Sequence, residues 1–152
     1  MCGIVGILGS QEDTWIESMN NAQIHRGPDD SGVFRALSGK LALAMRRLSI
    51  IDINDGHQPM IDSATGNVIV FNGEIFNAPQ LRKQLERTGS VFQTDHSDTE
   101  VLLQLYKKFG PQMLDHINGM FAFVIYNPSK DTLFGARDQT GIKPFFYSCN
   151  TG

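Results

Sequence analysis

The chain has 152 residues, 41% of them apolar and 19% charged, with a formal net charge of −3. This suits one globular domain large enough to bury a core, and the mild acidity excludes a nucleic-acid-binding face. No apolar run has the length of a membrane span or the form of a secretory signal, and two lone cysteines, Cys2 and Cys149, read as reduced thiols. The cytoplasm is the expected compartment.

Cys2 stands directly behind Met1 and ahead of a β-branched strand at residues 4–8. A helix is expected at about 12–24, with Trp15, Ile16, Met19 and Gln23 along one side. HRGPDDSG, residues 25–32, is a turn-rich loop that no helix can continue past the residue before Pro28. Strands are expected at 32–36 and 41–48. In the second, Leu41, Leu43 and Met45 alternate with Ala42, Ala44 and Arg46, as in a sheet with two different faces. Asp55-Gly56 marks a turn, and a strand at 68–71 ends on Asn72-Gly73.

Two helices follow. One begins near Asn77, with Leu81 and Leu85 on one face. The other has a capping box, Ser97 with Glu100, then Val101, Leu102, Leu105 and Phe109 at helical spacing. Gly110-Pro111 starts a short third helix through about residue 116. Strands return at 120–127, 132–137 and 145–148, with a hairpin turn at 127–131. Strands at both ends and helices between them predict an α+β fold with two mostly antiparallel sheets packed face to face and helices outside. The end of the chain, with no helix stop or polar tail, reads as a cut inside something longer.

Cys2 is small enough for an aminopeptidase to remove Met1, which would place a thiol and an α-amine on one residue. Such an amine titrates near ~7.7–8.0, so about a tenth of it is unprotonated at neutral pH. It can act as base for its own nucleophile. The alternative is a small buried residue opening a strand. If Cys2 attacks an acyl group, Asn72 and the N–H of Gly73 suit an oxyanion, although Asn-Gly is also a common hairpin turn.

Arg47 lies in an apolar stretch, where a substrate carboxylate would suit it; the alternative is an ion pair with Asp52 or Asp55. Arg46 is its rival, and on strand alternation only one of the two can face the site. Glu74 and Asp98 could hold a substrate ammonium, while Asp98 also suits the first turn of its helix. His25, His57, His96 and His116 lack metal-ligand spacing, and His25 reads as a loop hydrogen bonder. With no GxxxxGK[ST] or GxGxxG segment, no metal or nucleotide cofactor is expected in this chain.

Taken in order, MCGIVGI, HRGPDDSG, RRLSIID, QPM, FNGEIFN, SDTE, GMFAFVIY and ARDQTGIKPFFY resemble the glutaminase domain of class II glutamine amidotransferases. These belong to the N-terminal nucleophile hydrolases, and RLSIID and NGEIFN are similar to the glutamine-hydrolysing asparagine synthetase branch. The resemblance implies a four-layer αββα sandwich over residues 1–152. It implies that Cys2 attacks the amide of L-glutamine to release ammonia, that Asn72 and Gly73 form the oxyanion hole, that Arg47 binds the α-carboxylate, and that Glu74 and Asp98 bind the α-ammonium.

It further implies that ammonia passes to a C-terminal synthetase domain, absent from this chain, which uses ATP and Mg²⁺ to amidate aspartate. A homodimer is compatible with it. The same chemistry could instead feed another acceptor, such as a sugar or a metabolite. A retained Met1 would leave an inactive glutamine-binding module.

Overall fold

The computed structural model describes residues 2–9, 13–48 and 56–149. The elements run β1 (Gly3–Leu8), α1 (Asp13–Asn21), β2 (Asp30–Arg35), β3 (Leu41–Arg47), β4 (Met60–Ile61), β5 (Val68–Ile75), α2 (Ala78–Arg87), α3 (Asp98–Phe109), a 3₁₀ turn at Gly110–Asp115, β6 (Gly119–Asn127) and β7 (Thr132–Arg137). One sheet has the order β1-β3-β2, the other β4-β5-β6-β7, and every pairing is antiparallel.

Strand alternation produces the layers. The odd residues of β3, Leu41, Leu43 and Met45, meet Val68 and Val70 of β5 and Tyr126 of β6 between the sheets. The even residues Ala42 and Ala44 face away and pack under Ile16 of α1. On β5 the parity reverses: Ile69, Phe71 and Ile75 pack outward with Phe121, Phe123 and Ile125 against Leu81, Leu85, Leu102 and Leu105 of α2 and α3. The four layers are therefore α1, the first sheet, the second sheet, and α2 with α3. The expected αββα sandwich is the fold observed.

Several boundaries differ from the sequence reading. β5 does not stop at Phe71 but continues through Asn72-Gly73 to Ile75, because Gly73 pairs with Phe121 and Ile75 with Gly119. A Cβ on Gly73 would overlap the Met120 carbonyl oxygen and lie 2.8 Å from Phe121 Cα, so only glycine lets the strands approach here. The dipeptide is not a hairpin turn. Residues 145–148 form no strand, and Phe146 and Tyr147 are 92% and 84% exposed. With neither a partner strand nor a core to cover them, their apolar character does not make them sheet.

α1 ends at Asn21, and its buried side is Ile16 and Asn20, while Trp15 and Met19 are nearly half exposed. The capping-box bond expected at Ser97 does not form, and Asn77 makes no side-chain cap bond either. Asn77 occupies its cap position but instead bridges to the β6 approach, with Nδ2 donating to the His116 carbonyl at 2.9 Å and Oδ1 accepting from Asn118 N–H at 2.9 Å. Glu100 reaches past Ser97 to accept from the N–H groups of Gln93 and Thr94 and the Thr94 hydroxyl, at 2.6, 2.8 and 2.6 Å. Longer-range partners outcompete the local cap in both cases. The Asp55 half of the expected turn lies outside the described residues.

Candidate active site

The ends of the facing sheets open onto a cavity of about 250 Å³. Cys2 enters from the start of β1, Arg47 from the last position of β3, Asn72, Gly73 and Glu74 from β5, and Asp98 from the first turn of α3. All six candidate residues line this one space. Parity explains it: on β3 the odd residues point between the sheets, and on β5 the even ones do, so Arg47, Asn72 and Glu74 converge from opposite walls. A larger groove of about 510 Å³, lined by Asp62, Gln93, Lys107 and others, contains none of the six.

The half-buried Cys2 has its sulfur 3.9 Å from the Leu48 carbonyl oxygen, and its own carbonyl accepts from Arg26 Nε at 3.3 Å. Arg26, from the HRGPDDSG loop, had no role in the sequence reading; here it fastens the residue that bears the thiol. Cys2 and Cys149 are both free thiols. Met1 lies outside the described residues.

The two arginines separate as alternation requires. Arg46, paired with Gly3 and Ser31, turns toward α1, where Nε donates to the Asn20 carbonyl at 3.4 Å and another nitrogen meets Asn21 Oδ1. Arg47 is buried against the cavity and pairs across the sheet with Asp30. Burial opposes ionisation of Asp30, but a 2.7 Å hydrogen bond from His57, the Ser31 N–H and the charges of His57 and Arg47 outweigh it. The Asp30 carboxyl titrates below its ordinary range as a result. Asp52 and Asp55, the alternative partners of Arg47, lie outside the described residues.

On the opposite wall Asp98 Oδ2 accepts from the Ile75 N–H at 3.1 Å, tying the helix start to the end of β5. Burial pushes the Asp98 carboxyl up to about 6, against hydrogen bonds from the backbone N–H groups of Ile75 and Thr99, and the nearby charge of Glu74 pushes the same way. Two carboxylates that repel each other at a cavity wall form a site for a cation. Gln58 steadies this wall: Oε1 accepts from the Phe71 N–H at 2.7 Å and Nε2 donates to the Thr99 hydroxyl at 3.2 Å, joining β5 to α3.

Gln58 and Lys143 also line the cavity and were not singled out from sequence. Lys143 carried a readable signal, a charge within the apolar run GIKPFF. Gln58 lay within the QPM segment, but its role was not readable because its partners are set by tertiary contacts. His25 is exposed. Among the described residues no group of three or more His, Cys, Asp or Glu side chains could hold a metal ion, and no helix is long and apolar enough to cross a membrane.

Chemically, the cavity offers a thiol, a strand-edge amide beside a glycine N–H, an arginine on one wall and a carboxylate pair on the other. That set matches an α-amino acid with an acyl group at its far end.

Comparison with known proteins gives the family. A glutamine amidotransferase domain model matches residues 1–152. The chain is 42% identical over 155 residues to asparagine synthetase [glutamine-hydrolyzing] 1 of Bacillus subtilis, covering 97% of this chain and 24% of that protein. It is 40% identical over 152 residues to asparagine synthetase B [glutamine-hydrolyzing] of Escherichia coli, covering 96% of this chain and 26% of that protein. The chain thus spans about a quarter of the length of these curated relatives. Among solved structures, the glutamine phosphoribosylpyrophosphate amidotransferase of B. subtilis superposes with a TM-score of 0.75 at 25% identity, over 95% of this chain and 38% of that one.

Proposed function

The chain belongs to the glutamine amidotransferase domain family, and on that premise we propose that it hydrolyses L-glutamine to L-glutamate and ammonia with Cys2 as nucleophile. The observation that carries this reading is the convergence of Cys2, Arg47, Asn72, Gly73, Glu74 and Asp98 on one cavity. Arg47 receives the α-carboxylate through paired N–H···O bonds, and Glu74 with Asp98 receives the α-ammonium. The side-chain amide then lies toward Cys2.

Once Met1 is removed, the α-amine of Cys2 takes the thiol proton and sulfur attacks the amide carbon. Negative charge on the former carbonyl oxygen is met by Asn72 and the Gly73 N–H, donors fixed in mid-strand before the reaction begins. Collapse breaks the C–N bond, and the proton held by the amine goes to the departing nitrogen as ammonia leaves. Water, deprotonated by the same amine, cleaves the thioester to glutamate and restores the thiol.

In a longer chain of the kind its relatives form, the ammonia would pass to a C-terminal synthetase segment for amidation of aspartate, with ATP and Mg²⁺ belonging to that segment. The sequence similarity to asparagine synthetases supports aspartate over a sugar or other metabolite as the acceptor. The cytoplasm, with its pool of free glutamine and reducing conditions, is the compartment this chemistry suits.

The test is release of glutamate and ammonia in equal amounts from L-glutamine, with intact mass measured on the same preparation. Loss of one methionine together with turnover, and no turnover in Cys2→Ala of unchanged circular dichroism, is the expected result. A correctly processed protein that neither turns over nor binds glutamine would overturn the reading.

A further inference from the structure

The reaction just described leaves one buried cation without a task. Lys143 is only 7% exposed and lines the cavity with Gly73, Glu74, Asp98 and Met120. Lysine is almost never buried unless its charge is answered. Among the described residues its ammonium makes no hydrogen bond or ion pair, and it is not one of the side-chain nitrogens sealed from solvent, so it meets the cavity. The nearby buried carboxylate, Asp138, does not answer it: Asp138 accepts from the backbone of Lys143, at 3.0 Å, and not from its side chain.

That backbone contact shows from which side Lys143 enters. Oδ2 of Asp138 accepts from Lys143 N–H and also, at 3.2 Å, from Phe121 N–H, while the Asp138 N–H donates to the Phe121 carbonyl at 2.8 Å. Phe121 is the direct partner of Gly73 on β5. Oδ1 of Asp138 holds the intervening loop through Ile142 N–H and the Thr140 hydroxyl, at 2.8 and 3.0 Å. Burial opposes its charge, but donation from Lys143, Ile142, Thr140 and Phe121 outweighs that and keeps the Asp138 carboxyl well below the ordinary range. Lys143 is therefore fastened to the wall that carries Asn72 and Gly73, whereas Arg47 stands on the wall of β3. A glutamine molecule has two electron-rich ends, and the site has one cation on each wall. Charge balance points the same way: without Lys143 the cavity would hold Glu74 and Asp98 against Arg47 alone, a net negative lining that opposes any anion forming on the acyl oxygen.

We propose that Lys143 is a further substrate-contacting residue, facing the γ-end of the bound amino acid and stabilising the negative charge of the tetrahedral oxyanion and of the glutamate γ-carboxylate. It rests on the glutamine-hydrolysing reading. The rival role, organising Glu74 and Asp98 for the α-ammonium, predicts a different pattern of binding.

The experiment is calorimetry on the full chain in a Cys2→Ala background, with L-glutamate, L-glutamine and L-norvaline, which shares the α-groups but lacks a polar γ-end. Lys143→Met should weaken L-glutamate by about ten- to a hundredfold, the range for a hydrogen bond to a charged group. L-Norvaline should stay within about twofold, and Lys143→Arg should keep most of the glutamate affinity. With Cys2 present, Lys143→Met should lower kcat about tenfold or more while glutamine KM changes little. Where Lys143→Met does not fold, Lys143→Gln takes its place. Equal weakening of all three ligands, or unchanged glutamate binding, overturns the assignment of Lys143. Failure of the Cys2→Ala protein with Lys143 intact to bind any of them overturns the glutamine reading, and this one with it.

Discussion

The half of the molecule built on β4–β7 and the half built on β1–β3 hold their functional groups differently. Asn72, Gly73 and Glu74 sit within a paired strand whose outer face is packed by α2 and α3 through Phe71, Leu102, Leu105, Phe121 and Phe123. Cys2 and Arg47 sit at strand ends, on a sheet whose outer face is covered by Ile16 over Ala42 and Ala44. The proposed oxyanion donors thus sit on the deeply packed half, where they would need no reorganisation during reaction. The proposed nucleophile, Cys2, sits where less apolar surface holds it, the kind of region that opens at lower free energy.

Core truncations test that contrast most strongly. Phe123→Ala should cost about 3–5 kcal/mol and Ile16→Ala, beside small alanines that leave little to lose, about 2 kcal/mol. Urea denaturation reads both. Equal losses would erase the difference between the halves. Next comes Asn72→Ala, which should lower kcat by about a hundred- to a thousandfold, or roughly 2.7–4 kcal/mol, with little change in glutamine KM. A loss confined to KM would place Asn72 at the α-end of the substrate instead.

Asp98 sharpens the comparison through pH. Its carboxyl titrates at about 6 in the folded chain against 3.8 ordinarily, so the fold retains a proton that the unfolded chain has released. Between those values stability falls as pH rises, and above about 6 the buried charge costs up to about 3 kcal/mol. Asp98→Asn, whose side-chain oxygen can still accept from Ile75, should therefore melt higher than the parent at pH 7.5, and the gap should close below pH 4. The same substitution should weaken glutamine binding above pH 6, and the gap to the parent should narrow as pH falls through about 6, where the parent loses the same charge. A variant that is less stable at pH 7.5 would show that the carboxylate serves the fold and not the ligand.

What the sequence revealed depended on how local each feature was. The two-faced alternation of β3 was legible because period-two patterning lies within seven residues, and alternation alone places Arg46 and Arg47 on opposite faces. The start of α3 was legible too, but not its partners, because Glu100 found Gln93 and Thr94 through a loop no pattern encodes. Asn72-Gly73 stayed ambiguous between turn and strand because its answer is Phe121, far along the chain. The strand expected at 145–148 failed for the complementary reason: an apolar run was present and no partner was. Lys143 was visible as a misplaced charge, but its use depends on Asp138 and Phe121.

The smallest expected effect is also the most discriminating, because it compares adjacent residues. Arg47 ends its strand inside the cavity, while Arg46 lies against Asn20 and Asn21 of α1. Arg47→Ala should raise glutamine KM by about ten- to a hundredfold, the worth of a charge-assisted contact, and alter kcat much less. Arg46→Ala removes a partly exposed contact to a helix end, so KM should stay within about twofold and stability fall by about 1 kcal/mol. Steady-state kinetics and thermal melts on the two variants read both quantities. If Arg46→Ala raised KM and Arg47→Ala did not, the wall that faces the substrate would be the one packed on α1, and the assignment of the carboxylate subsite to the inter-sheet cavity would fall.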